Sequence, residues 1–212
     1  LQIAQHGMVL ESPNGKKELS IWLRDHASSA DGGREVLSHQ TGVATWAAQQ
    51  AVLHNVSLKN YLYLQERSGE EWSEIKPALL EQIATAKVSL GGNQGKIDIY
   101  LHEGMYKEAI ALVESDQLRT GLSQVIEAVK ATYPHWAFDQ CRTAAANIMD
   151  NNRSQGYAEA AEWVRRGRDI LLEAGLAKQW QVYITSLIQK HQRKYKLLPL
   201  LERVRDTALT SS

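Results

Sequence analysis

Residues that end helices cut this chain at intervals of about ten to thirty positions, and between the cuts the apolar side chains recur with helical spacing. The cuts are Asn55, Ser68-Gly69, Gly91-Gly92-Asn93-Gln94-Gly95, Gly104, Tyr133-Pro134, Asn151-Asn152, Gly175 and Leu198-Pro199. Glycine and asparagine accept the left-handed conformation that closes a helix, and proline bars helix at the residue before it. They predict helices over 35–54, 57–67, 70–89, 95–103, 105–115, 117–132, 134–151, 155–174 and 176–195, with a terminal helix beginning near Pro199. The two-residue alternation of a half-buried strand is nearly absent and the connections are short, so the expected class is all-α.

A repeated phrase sharpens the expectation. Gly104-Met105-Tyr106-Lys107-Glu108-Ala109 and Gly156-Tyr157-Ala158-Glu159-Ala160 share Tyr-x-Glu-Ala just after a glycine. On a helix the tyrosine and the alanine three positions on lie on one face. The ring fills a groove there, while the alanine lets a neighbouring helix approach. Tyr106 and Tyr157 are 51 residues apart, against about 34 for a tetratricopeptide repeat. The predicted architecture is therefore a set of irregular α-hairpin repeats, a TPR-like α-α superhelix or solenoid, over 34–212. In the 155–174 helix, Tyr157, Ala160, Ala161, Val164 and Leu171 form one apolar stripe and Trp163, Gly167, Ile170 and Ala174 another, and a helix apolar on two faces must be covered twice. Trp163 and Trp180 read as core staples, as does Trp72 after Ser68-Gly69. Residues 1–33 form a separate N-terminal segment, with a turn at Ser12-Pro13-Asn14-Gly15, a short helix carrying Leu19, Trp22, Leu23 and His26, and a flexible loop at Ser28-Ser29-Ala30-Asp31-Gly32-Gly33.

Composition narrows the function classes. The 24 basic and 24 acidic residues cancel, which removes any global attraction to nucleic acid or membranes. The distribution is uneven, since 151–212 holds eleven Lys/Arg against six Asp/Glu. Lys190, Arg193, Lys194 and Lys196, with Arg203 and Arg205 beyond Pro199, form a basic cluster. Lys190, Arg193 and Lys194 are expected on a helical face opposite Tyr183, Ile184, Leu187 and Ile188. This cluster is the candidate nucleic-acid contact, although a plain solvated face accounts for it better, since the net charge is zero and no aromatic residues interleave with the cations. Cys141 is the only cysteine. It permits no intrachain disulfide, reads as a packing thiol, and suits a reducing, cytoplasmic setting. No apolar run approaches the roughly 20 residues of a membrane span. The chain opens on Leu1 rather than a methionine, as an excised piece of a longer polypeptide would.

Motifs that carry chemistry are missing. There is no Walker loop, dinucleotide fingerprint, nucleophile elbow or H-E-x-x-H. Gly91-Gly92-Asn93-Gln94-Gly95-Lys96 lacks both the preceding strand and the following Ser/Thr of a phosphate loop. The seven histidines form no i, i+3 or i, i+4 pair. The chain reads as non-enzymatic, with no catalytic or metal-binding residues.

From Gly156-Tyr157-Ala158-Glu159-Ala160-Ala161-Glu162-Trp163 the chain runs through Arg168-Asp169-Ile170-Leu171-Leu172-Glu173-Ala174-Gly175 and Gln179-Trp180-Gln181-Val182-Tyr183-Ile184. It closes on His191-Gln192-Arg193-Lys194-Tyr195-Lys196-Leu197-Leu198-Pro199-Leu200-Leu201. This order resembles the helical region C-terminal to the zinc finger of bacterial SWIM zinc-finger proteins, most clearly over 150–205. A SWIM finger needs C-x-C and C-x-H ligands, which one cysteine cannot supply. The resemblance thus implies a fragment of a larger SWIM protein that holds no cofactor itself, any zinc belonging to the remainder of the polypeptide. It also implies a scaffold for protein–protein interaction whose groove receives a helix or peptide, or alternatively a nucleic-acid-binding accessory region using the C-terminal basic face.

Overall fold

The computed structural model describes residues 45, 49–86, 93–151 and 154–207, and among them there are helices and no strands. The N-terminal segment 1–33 and its expected turn, short helix and loop lie outside the described residues, as does most of the 35–54 helix, of which 49–54 is helical. The chain divides into two compact units, Leu1–Gly121 and Leu122–Ser212.

The first unit contains α1 (Leu58–Ser68), a 3-10 turn (Gly69–Glu71), α2 (Trp72–Thr85), α3 (Gln94–His102) and α4 (Tyr106–Ser115). Ser57 caps α1 by accepting the Asn60 amide at 3.4 Å, as a hydroxyl at that position does for a free N–H of the first turn. Its core joins Val52, Tyr61, Leu64, Leu79, Ile83 and Ile99, with Trp72 set edge-on to Tyr61 at 5.1 Å. Two polar groups are sealed in. The Tyr61 hydroxyl donates to Glu103 Oε1 at 2.8 Å, while Lys76 pairs with Glu103 Oε2 at 2.7 Å. Burial raises the Glu103 carboxyl, but the Lys76 and Tyr61 hydrogen bonds and the Lys76 and His102 charges outweigh it, so the group is held below its usual range. Lys96, buried, donates to the carbonyls of Ala84 at 3.0 Å and Ala86 at 2.7 Å, satisfying the open end of α2.

The second unit contains α5 (Leu122–Val129), α6 (Pro134–Asp150), a 3-10 turn (Ser154–Gly156), α7 (Tyr157–Glu173), α8 (Ala177–His191) and α9 (Leu198–Thr207). α7 is its centre and touches α6, α8 and α9. Its buried face carries Tyr157, Ala160, Ala161, Val164, Gly167, Arg168, Ile170 and Leu171, which fill the core with Phe138, Cys141, Ala145, Trp180, Ile184 and Leu201. Small residues make the α6–α7 contact close, and a Cβ at Gly167 would stand 3.2 Å from the Phe138 ring. Arg168 is buried beside Asp169 and donates to the Val204 carbonyl in the last turn of α9 at 3.1 Å.

Two interhelical turns are the same object. At Gly104 the amides of Gly104 and Met105 bond the carbonyls of Leu101 at 3.2 Å and Tyr100 at 2.8 Å; at Gly175 those of Gly175 and Leu176 bond Leu172 at 3.0 Å and Leu171 at 2.7 Å. This crossed pair is a Schellman closure, and φ of +70° and +72° at the glycines explains why glycine stands there.

Several boundaries differ from expectation, and the helix expected over 70–89 ends at Thr85. The helix expected over 117–132 begins only at Leu122, because the Asp116 carboxylate accepts the amides of Leu118 at 3.0 Å and Thr120 at 3.1 Å and wraps the segment into a turn. Its other end stops at Val129, where the Tyr133 amide closes on the Val129 carbonyl at 2.7 Å. The 176–195 helix ends at His191, whose carbonyl takes the Lys194 amide at 2.8 Å. Of the two α7 stripes, the second stops short of Ala174, which is exposed.

Ala109 and Ala160 are both fully buried, while Lys107 and Ala158 face solvent. The two Tyr-x-Glu-Ala helices are entered differently, by the Schellman turn at Gly104 and by the 3-10 turn ending at Gly156. Ala109→Leu and Ala160→Leu are each expected to lower stability by about 1–3 kcal/mol through overpacking, and leucine at 107 or 158 by no more than about 0.5 kcal/mol. Thermal unfolding of the four variants checks this. Leucine tolerated at both alanines would remove the common role of the two segments.

Candidate functional site

The expected basic cluster does not form one free face. Lys190 pairs with Asp150 across from α8 to α6 at 3.2 Å. Lys194 lies past the end of α8, so it cannot share a helical face with Lys190; it is half-buried, donates to the Met149 carbonyl, and lies 5.8 Å above the Tyr157 ring. It closes the C-terminal end of α6. Arg193 and Lys196 remain exposed, as does Arg203, while Arg205 pairs with Asp206 at 2.8 Å. Tyr195, which sequence reasoning passed over, is 79% exposed between them, with Lys196 5.9 Å from its ring.

The two tryptophans separate. Trp180 is fully buried, and its indole N–H finds no acceptor among the described residues. Trp163 is only half-buried at the edge of the core, with the Arg166 guanidinium 5.1 Å over its ring. Tyr157 is buried and Tyr106 half-buried.

Two open grooves cross the second unit. The first lies between α5 and α7, about 390 Å³ in volume, and its charges satisfy one another. Lys130 pairs with Glu127 at 3.4 Å and Glu173 at 3.2 Å, Arg166 with Glu127 at 3.4 Å, and Arg165 with both Glu162 and Asp169. Its lining mixes both signs of charge, and Ile170 is the one apolar residue in it.

The second groove has a different chemistry. α6 and α8 run in the same direction, since Phe138 meets Tyr183 edge-on at 5.1 Å near their starts and Asp150 meets Lys190 near their ends. Between them opens a space of about 390 Å³ lined by Arg142, Thr143, Ala146 and Asn147 from α6 and by Tyr183, Ser186, Leu187 and Lys190 from α8. Ala146, Tyr183 and Leu187 supply apolar surface, and Thr143, Asn147 and Ser186 are exposed polar groups. Arg142 and Lys190 contribute the only charges of the lining, each held by a single aspartate outside it, Arg142 by Asp139 at 3.0 Å. Burial pushes the Tyr183 hydroxyl up to about 12, against the lowering influence of Arg142 and with a small rise from Cys141. Tyr183 therefore stays a neutral donor and acceptor. Sequence reading placed Tyr183 and Leu187 in an apolar stripe and assigned Arg142 no role. The available signal was the spacing Arg142, Thr143, Ala146, Asn147, a helix face with no large apolar residue to fill the space in front of it.

Cys141 lies fully buried beneath α7, and burial pushes its thiol up to about 11, with Arg166 opposing and Glu127 assisting. A protonated, covered thiol is inert. Among the described residues no three His, Cys, Asp or Glu side chains gather as metal ligands, and no helix is long and apolar enough to cross a membrane. No family model, curated protein or solved structure matches the chain.

His191 closes α8 almost fully buried, with Nε2 unpartnered among the described residues. Burial lowers its pKa, Lys194 and Lys190 lower it further, and Asp150 opposes them. The unfolded chain, with histidine near 6.5, then binds the proton more readily than the folded one. Stability is full above about pH 6.5 and is lost as pH falls below it. Urea unfolding at pH 7.5 and pH 5 is expected to show this loss in the wild type and a shallower one in His191→Met. Equal losses would place the acid sensitivity elsewhere.

Proposed function

We propose that the chain is a non-enzymatic helical scaffold for protein–protein interaction, and that the α6/α8 groove of its second unit receives a segment of a partner protein. One observation carries this reading: of the two grooves described, the α6/α8 groove combines apolar surface with exposed hydroxyl and amide groups and two cations held by exposed single pairs, whereas the α5/α7 groove is lined by charged residues and Ile170. Side chains standing around a part-apolar concavity are what peptide recognition requires. The parallel run of α6 and α8 with α7 between them also suits α-hairpin repeats of TPR-like type. The reading accords with the resemblance of 150–205 to the helical region of bacterial SWIM zinc-finger proteins, where the zinc ligands would belong to other parts of such a polypeptide.

A second reading retains nucleic acid. It is favoured by Tyr195, exposed between Arg193 and Lys196, because an aromatic ring beside cations stacks on bases while the cations meet phosphate. It is weakened by the commitment of Lys190 and Lys194 to Asp150 and Met149.

Peptides selected from a displayed random library on the immobilised chain are expected to lose about tenfold or more in affinity when Ser186→Trp fills the groove, and to be indifferent to Lys130→Ala in the α5/α7 groove. Selected binding that ignores Ser186→Trp would refute the groove. Salt-sensitive binding of single-stranded DNA lost in Tyr195→Ala would favour the second reading instead.

A further inference from the structure

Resting on the reading of the α6/α8 groove as a protein-docking surface, we infer that its partner is an acidic peptide in which two carboxylates bracket an apolar residue. The charges of the lining are both positive and stand at opposite ends. Arg142 acts on the Tyr183 hydroxyl at one end, and Lys190 lies seven residues further along α8. At about 1.5 Å per residue the separation along the axis is about 10 Å. No carboxylate lines the space between them, where Ala146 and Leu187 offer apolar contact. The unit as a whole leans the same way, with thirteen Lys/Arg against nine Asp/Glu over 122–212.

Both cations are already held, but loosely. Arg142–Asp139 and Lys190–Asp150 are more than half exposed on each side, and exposed pairs of that kind are weak and exchange readily. An incoming carboxylate takes the place of each aspartate, or shares the cation with it, at little cost. In an extended segment, positions i, i+2 and i+4 point to one side and span about 13 Å. Acidic, apolar and acidic residues at those positions thus reach Arg142, the Ala146–Leu187 floor and Lys190 together. The volume of about 390 Å³ admits side chains of this size but not a whole helix, whose diameter is about 10 Å.

The test titrates the ¹⁵N-labelled chain with three pentapeptides, Glu-Ala-Leu-Ala-Glu, Gln-Ala-Leu-Ala-Gln and Lys-Ala-Leu-Ala-Lys, following the amides of Thr143, Ala146, Ser186 and Leu187. The glutamate peptide is expected to bind about fivefold more tightly than the glutamine peptide at low salt, to lose that margin at high salt, and to lose it in Arg142→Gln/Lys190→Gln. The lysine peptide is expected to leave the groove amides unmoved. Both substituted positions are exposed, and an unchanged thermal midpoint shows that the variant is folded. Equal binding of the glutamate and glutamine peptides would overturn the acidic partner while leaving the docking groove intact. If no peptide moved these amides, the groove itself would be lost.

Discussion

The second unit depends on how closely α6 and α7 approach. Gly167, Ala160 and Ala161 on one helix and Ala137, Cys141 and Ala145 on the other are small and buried, and the helices approach so closely that the Phe138 ring lies against Gly167. Everything else in the unit hangs on that seam. With α6 drawn tightly onto α7, the large residues move to its flanks, where Trp180, Ile184 and Leu201 fill the core from α8 and α9. The groove between α6 and α8 is the remainder, left open because Ala146 and Thr143 are too short to close it.

Cations organise the helix ends in both units. The last four carbonyls of a helix have no partner within it, and here lysine or arginine from distant parts of the chain supplies one: Lys96 for α2, Lys194 for α6 and Arg168 for α9. Each also meets the negative pole of the helix dipole. This places basic residues that appear surplus in the sequence singly at helix ends rather than together on one face.

The sequence made the helices legible because glycine, asparagine and proline act locally, and helix edges at Gly104, Pro134 and Gly175 follow from one or two residues each. Where a boundary depends on a side chain that accepts amides further along the chain, as Asp116 does from Leu118 and Thr120, the apolar period ran on through a turn and predicted too long a helix. Burial was legible for Ala109 and Ala160, which lie on an apolar stripe, and less so for Trp163, whose ring finds cover from Arg166 at the edge of the core. The groove was not legible at all. It arises from the side-by-side placement of two helices over forty residues apart in number, and no local pattern records which helix stands next to which.

The Schellman turns at Gly104 and Gly175 differ from the glycine in the α6–α7 seam in one respect. A methyl group built on either turn glycine meets nothing within 4 Å, whereas Gly167 faces the Phe138 ring. At the seam the constraint is one of size. At the turns it is one of handedness, because positive φ crowds the Cβ of an L-residue against its own backbone and leaves the mirror-image side open. A D-alanine introduced by chemical synthesis at either turn therefore finds its preferred backbone already in place, and it restricts the unfolded chain more than glycine does.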